Sequence, residues 1–130
     1  MAKKKKTELE KPLTEVELEL MNVIWALGEC TVKDVQKAVS EKRELAYTSV
    51  ATMMKILEEK GALESNKGER IIVYKPLLSR EDYGGASLKH LASNVFQGNS
   101  TSMVMRLLDE SQLSKEELHT IRKMLDERIK

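Results

Sequence analysis

Leu45-Ala46-Tyr47-Thr48-Ser49-Val50-Ala51-Thr52-Met53-Met54-Lys55-Ile56-Leu57-Glu58-Glu59-Lys60-Gly61 decides how this chain is read. Val50, Met53 and Leu57 recur at helical spacing, with Met54 beside them, and Gly61 supplies a stop. The spacing predicts a helix from about Tyr47 to Lys60. Its other face holds Thr48, Ser49, Ala51, Thr52 and Lys55. The exposed faces of the other long helices in this sequence are crowded with Glu and Lys. A helix whose first turns carry hydroxyls, small side chains and a lysine, but no carboxylate, suits close approach to a polyanion.

Upstream, two shorter helices are expected. Thr14-Glu15-Val16-Glu17 is a capping box, followed by an apolar stripe of Leu20, Ile24 and Leu27 with Met21 and Trp25 alongside, ending at Gly28. Thr31-Val32-Lys33-Asp34 opens a second helix carrying Val32, Val35, Ala38 and Val39, which ends near Ser40. The charged, aperiodic stretch 41–45 is expected to be a loop. Downstream of the third helix, Leu63-Glu64-Ser65 and Ile71-Ile72-Val73-Tyr74 flank the turn Asn66-Lys67-Gly68-Glu69-Arg70, and Pro76 is expected to close the second strand. Helix, helix, helix and hairpin in that order describe a winged helix-turn-helix, with the third helix as reader and the hairpin as wing.

The remainder is helical. Ser79 starts a helix with Leu88, Leu91 and Val95 along one side, loosened near its start by Gly84 and Gly85. Gly98-Asn99-Ser100 breaks the chain, and a short helix follows with Met103, Val104, Leu107 and Leu108. Ser114-Lys115-Glu116-Glu117 caps a last helix striped by Leu118, Ile121, Leu125 and Ile129. Three amphipathic helices in about 50 residues are close to the lower limit for a self-sufficient core. A homodimer that pairs these tails is therefore expected, through Leu88, Leu91, Val95, Met103, Leu107, Leu118, Ile121 and Leu125. The expected fold class is mainly α with a small β-hairpin wing. Residues 1–12 form a flexible basic arm, 13–76 a winged-helix DNA-binding head and 77–130 a helical dimerisation tail.

Totals alone do not identify a ligand. The 130 residues carry a net charge of +1, and the stretch 31–75 holds nine Lys/Arg against seven Asp/Glu, so placement of charge must carry the argument. Aromatic residues at 4% are too few for a single-strand stacking platform. No apolar run approaches the ~20 residues that cross a bilayer, and the lysine-rich start lacks the apolar segment of a signal peptide. A reducing, cytoplasmic setting is expected from the single cysteine. Cys30 is read as a packing residue rather than a redox sensor. His90 and His119 stand alone, without metal-ligand spacing, and no nucleophile elbow or phosphate-binding glycine loop occurs. No cofactor, metal or catalytic residue is expected.

The run 45–61 closely resembles the recognition-helix signature of the penicillinase-repressor family, the regulators of β-lactamase, methicillin-resistance and copper-operon genes. Leu13-Thr14, Glu17, Leu20-Met21, Trp25, Tyr74-Lys75-Pro76 and Leu113-Ser114-Lys115-Glu116-Glu117-Leu118 resemble further blocks of the same family, in the same order. The resemblance implies a homodimeric repressor on a palindromic double-stranded DNA operator. In the β-lactam branch it implies relief by a sensor-protease that cuts the tail between Asn and Phe. The corresponding pair here is Arg106-Leu107, a departure from that pattern. The cysteine-rich end of the copper branch is absent from Asp126-Glu127-Arg128-Ile129-Lys130.

The expected DNA contacts are Thr48, Ser49, Thr52 and Lys55 on the third helix, Tyr47 at its start through the hydroxyl, and Lys67 and Arg70 on the wing. Two readings compete with this one: a winged-helix protein-interaction module without DNA, and a repressor with an effector pocket between head and tail.

Overall fold

The computed structural model describes Leu9 and residues 12–130, so most of the basic arm expected over 1–12 lies outside the described residues. The element order is α1 (Glu15–Leu27), α2 (Val32–Val39), α3 (Tyr47–Lys60), β1 (Leu63–Ser65), β2 (Tyr74–Pro76), α4 (Arg80–Asn94), α5 (Ser100–Glu110) and α6 (Lys115–Ile129). The chain divides into two compact units, one reaching to Ser87 and one spanning Leu88–Lys130.

Local chemistry sets the helix starts. Thr14 and Glu17 close a capping box on α1, with Glu17 Oε1 accepting from the Thr14 amide at 2.8 Å and Thr14 Oγ1 from the Glu17 amide at 3.2 Å. Thr31 with Asp34, and Ser114 with Glu117, do the same for α2 and α6. These hydrogen bonds hold the Asp34 and Glu117 carboxyls below their usual range. Gly61 ends α3 in the left-handed conformation at φ 90°. Gly28 ends α1 at φ 80° and ψ −124°, a positive φ outside the left-handed helical region that a glycine cap commonly takes.

The core of the first unit forms where α1, α2 and α3 converge beneath the sheet. Leu20, Met21, Ile24, Val35, Val50, Met54, Leu57 and Leu63 are its fully or almost fully buried side chains. Two details depart from the sequence pattern. On α3 it is Met54, four residues after Val50, that is buried, and Met53 only flanks the core. Leu27, expected on the α1 stripe, is 45% exposed because the helix ends there.

One ion pair ties the start of α1 to the end of α3. Lys60 Nζ, at the end of α3, donates to Glu17 Oε1 at 2.6 Å and to the Pro12 carbonyl at 3.3 Å. Burial works against the Glu17 carboxylate, but hydrogen bonds from Lys60 and Thr14 and the ammonium charge outweigh it, holding the carboxyl below its ordinary 4.5. Replacing Glu17 with alanine removes half a capping box and leaves a largely buried ammonium unpaired. The expected loss is about 2–3 kcal/mol of stability at neutral pH. The native contribution is complete above pH 4.5 and is lost as pH falls through the depressed folded value. Urea unfolding of the variant should therefore show a shallower decline in acid than the unchanged protein. An equal acid dependence in both would contradict this account.

The wing differs from the sequence expectation. β1 and β2 pair antiparallel with Leu63 opposite Pro76, Glu64 opposite Lys75 and Ser65 opposite Tyr74. The second strand therefore begins at Tyr74 and contains Pro76, whereas Ile71, Ile72 and Val73 lie in the loop. The reason is Asn66. Its side chain accepts from the Val73 amide at 2.7 Å and donates to the Ile71 carbonyl at 3.2 Å, bonds that a neighbouring strand would otherwise supply. Proline is tolerated opposite Leu63 because this end of the ladder asks for no amide donor there. Cys30 pairs with the other edge of Tyr74 through two backbone bonds of 2.9 and 2.7 Å, so Tyr74 is central in a three-stranded patch.

Trp25 anchors the entry to α4. Its Nε1 donates to the Leu78 carbonyl at 2.7 Å, its ring lies 6.0 Å from that of Tyr83, and the Arg80 guanidinium sits 5.5 Å from its centroid. The first turns of α4 thus belong with the first unit. Gly84 and Gly85 lie within the helix without breaking it.

In the second unit, Gln97 and Gly98 adopt positive φ and turn the chain, and Asn99 caps α5. Val95, expected on the α4 stripe, lies just beyond the end of that helix. Neither α5 nor α6 buries a residue. Leu88, Leu91, Val95, Leu107, Leu118 and Leu125 are between 42% and 65% exposed, while Met103 and Ile121 are partly covered. No helix among the described residues is long and apolar enough to cross a membrane.

Candidate nucleic-acid interface

α3 is held from behind by its buried Val50, Met54 and Leu57, which fixes the opposite face outward. Tyr47, Thr48, Ser49, Thr52 and Lys55 are all exposed, as expected, and form a strip along the first three turns. Carboxylates enter only in the last turn, as Glu58 and Glu59. The hydroxyls are not equivalent. Thr52 Oγ1 donates to the Thr48 carbonyl at 2.9 Å, so its proton is spent and only its lone pairs and methyl face outward. Thr48 and Ser49 make no side-chain hydrogen bond among the described residues and keep both donor and acceptor capacity.

The start of α3 is unlike that of α1, α2, α5 and α6. Its cap position is Ala46, and no side chain closes the helix there. The first turn also lacks acidic residues, so the positive end of the helix is unneutralised. A shallow cleft borders this end, lined in part by Lys33, Gln36, Lys37 and Ala46 and also by Glu44, which lies outside the helix itself. Gln36 Nε2 donates to the Leu45 carbonyl at 3.2 Å and fixes the path of the chain into α3.

Lys33 and Lys37 were not among the contacts expected from sequence. Their signal was present: they stand four residues apart on the face of α2 opposite Val32, Val35 and Val39. Arg43 is engaged elsewhere, in a two-pronged bridge with Glu19 at 3.0 Å for each bond.

Glu58 joins α3 to the wing. Its Oε2 accepts from Ser65 Oγ at 2.6 Å and lies 3.9 Å from Lys67 Nζ. Lys67 remains 78% exposed, and Arg70 is exposed at the loop tip. The structure therefore groups Tyr47, Thr48, Ser49, Thr52 and Lys55 on one element and Lys67 and Arg70 on another, with Glu58 linking the two.

Cys30 is 2% exposed, and burial together with the Asp34 charge pushes its thiol up to about 11. Both its burial and this shift favour the protonated thiol at neutral pH and accord with Cys30 as a packing residue. Among the described residues no cluster of three His, Cys, Asp or Glu could hold a metal ion.

Comparison with known proteins adds to this geometry. The chain is 31% identical over 115 residues to the penicillinase repressor of Bacillus licheniformis, covering 88% of this chain and 90% of that one. It is 22% identical to the methicillin resistance regulatory protein MecI of Staphylococcus aureus, over 89% of this chain and 94% of that protein. Among solved structures, the Bacillus licheniformis BlaI monomer in complex with the blaP half-operator matches at 33% identity and a TM-score of 0.48, over 56% of this chain and 89% of that one. The sequence profile described as penicillinase repressor matches residues 13–127, nearly the whole length, and the chain thus belongs to the penicillinase repressor family.

Proposed function

We propose that this protein is a DNA-binding transcriptional repressor that acts as a homodimer on a palindromic operator in the cytoplasm. The observation that carries this reading is the exposed face of α3: hydroxyls and Lys55 over three turns, free of carboxylates, beside an uncapped helix start. α3 lies in the major groove. Thr48, Ser49 and Lys55 contact bases and phosphates, and the Tyr47 hydroxyl contacts the backbone. Thr52, its proton already donated, accepts from an adenine or cytosine amino group or packs its methyl on thymine. Lys33, Lys37, Lys67 and Arg70 hold phosphates on either side, and the open amides at the start of α3 favour an anion.

Residues 13–76 form the reading head in this account and 77–130 the dimerisation tail. The apolar side chains left exposed on α5 and α6 support tail-to-tail pairing, because a solitary chain would present them to water. Two heads then address grooves about 34–36 Å apart. Release follows cutting of the tail by a sensor-protease, with Arg106-Leu107, both exposed on α5, as the candidate bond.

The test is fluorescence anisotropy with duplex DNA from immediately upstream of the protein's own gene, against a scrambled duplex, over a salt series. Tight binding to the native duplex at two proteins per site, with a steep salt dependence, is expected. Equal weak binding to both duplexes would overturn the reading and favour a protein-interaction module.

A further inference from the structure

Gly84 and Gly85 lie side by side in the interior of α4, where glycine is a poorer helix former than any residue but proline. Two structural needs would explain such a pair, and neither applies. Gly28, Gly61, Gly68 and Gly98 have positive φ, whereas these two do not. Nor does a neighbour crowd them: a Cβ placed on either would meet nothing within 4 Å. Alanine fits both positions and would strengthen the helix, so the pair weakens α4 without serving its packing.

Their place along the chain gives the weakness a use. The first turn of α4 is fastened to the first unit. The Arg80 guanidinium donates to the Asn22 carbonyl at 3.2 Å, and the Tyr83 hydroxyl accepts from the Leu13 amide at 3.4 Å while its ring lies beside Trp25. Residues 84–87 make no side-chain hydrogen bond or ion pair among the described residues. The first compact unit ends at Ser87. The two glycines therefore fill the step directly after the last fastened residue, just before the second unit begins.

We propose that Gly84 and Gly85 form a hinge in α4 that sets how far the spacing of two half-sites can vary while one dimer still binds both. The inference rests on the homodimeric DNA-binding reading given above. One base pair added between half-sites moves them about 3.4 Å apart and turns them by about 35° around the duplex, or about 17° for each of two heads. Helices kink sharply, by more than about 20°, at glycine-containing pairs and not within runs of good helix formers. A bend of the required size is thus open to a Gly-Gly step and resisted by an Ala-Ala step.

The test compares the full-length protein with the double variant Gly84→Ala/Gly85→Ala. Thermal unfolding and sedimentation check that the variant is folded and keeps its oligomeric state. Anisotropy is measured on the operator duplex and on duplexes with one base pair added or removed between the half-sites. At native spacing the two proteins should bind equally, or the variant more tightly. At altered spacing the unchanged protein should weaken by less than about tenfold, and the variant by at least about tenfold more, towards the affinity of a single head. Amide hydrogen exchange over residues 84–88 should be about tenfold slower in the variant. Equal spacing tolerance in the two proteins, or unchanged exchange, would overturn the proposal. Failure of the unchanged protein to prefer operator over scrambled DNA would instead overturn the DNA reading, and the spacing role with it; the exchange measurement needs no DNA and judges the hinge by itself.

Discussion

Replacing Lys55 with glutamate is expected to abolish operator recognition, with affinity falling by at least about a hundredfold. Lys55 is exposed on the face of α3 that Val50, Met54 and Leu57 hold away from the core. In the proposed complex the substitution removes one cation and sets an anion against the phosphates or base acceptors that α3 faces. A lost base contact alone is worth about 1–3 kcal/mol, and the added repulsion raises that cost. Because Lys55 supports no buried contact, thermal unfolding should change little. Titration at several salt concentrations should show the logarithmic slope reduced by about one or more. Undiminished binding by a folded Lys55→Glu variant would mean that α3 does not face DNA.

The second large effect is expected in the tail. If the tails pair as proposed, Leu125→Asp should leave the protein monomeric and weaken operator binding by about two orders of magnitude or more, because the two heads would no longer bind as one linked ligand. Leu125 is 53% exposed in the single chain, so an aspartate there disturbs little within its own helices. In a dimer the same position would bury an unpaired charge. Ile121→Asp tests the same stripe, but Ile121 is partly covered within the single chain, so any loss of folding would blur its result. Leu125→Asp separates the two causes. Sedimentation should give a monomer with helical content intact, and anisotropy should show weak binding by one head. A variant that remains dimeric and binds normally would place the dimer interface elsewhere.

Both experiments rest on features of different visibility. The helices were legible because their signals are local. Thr14 with Glu17, Thr31 with Asp34 and Ser114 with Glu117 close their capping boxes between residues three apart, and the spacing alone specifies the contact. Gly61 likewise needs only its own backbone freedom to end α3. The exposed strip from Tyr47 to Lys55 was legible for a related reason: once Val50 and Leu57 turn inward, helical geometry leaves those residues outside.

The wing was the least legible element. Ile71-Ile72-Val73 has strong strand character by residue type, yet Asn66 captures the Val73 amide and Ile71 carbonyl, and the ladder begins only at Tyr74. Strand propensity is weak when a competing polar side chain offers the same bonds. The Glu58 link from α3 to Ser65 and Lys67 gave no signal either, since all three residues read as ordinary surface polar groups.

The sequence by itself determined which segments are helical, where those with a capping box begin and which face of α3 stays outside, because these follow from interactions within one or two turns. Only the tertiary structure decided that Lys60 reaches Glu17 across 43 residues, that Trp25 holds the Leu78 carbonyl, that Cys30 is sealed against Tyr74 and that the wing loop runs from Asn66 to Val73. Those contacts join residues distant along the chain, and their selection depends on how the whole core packs, which no local pattern encodes.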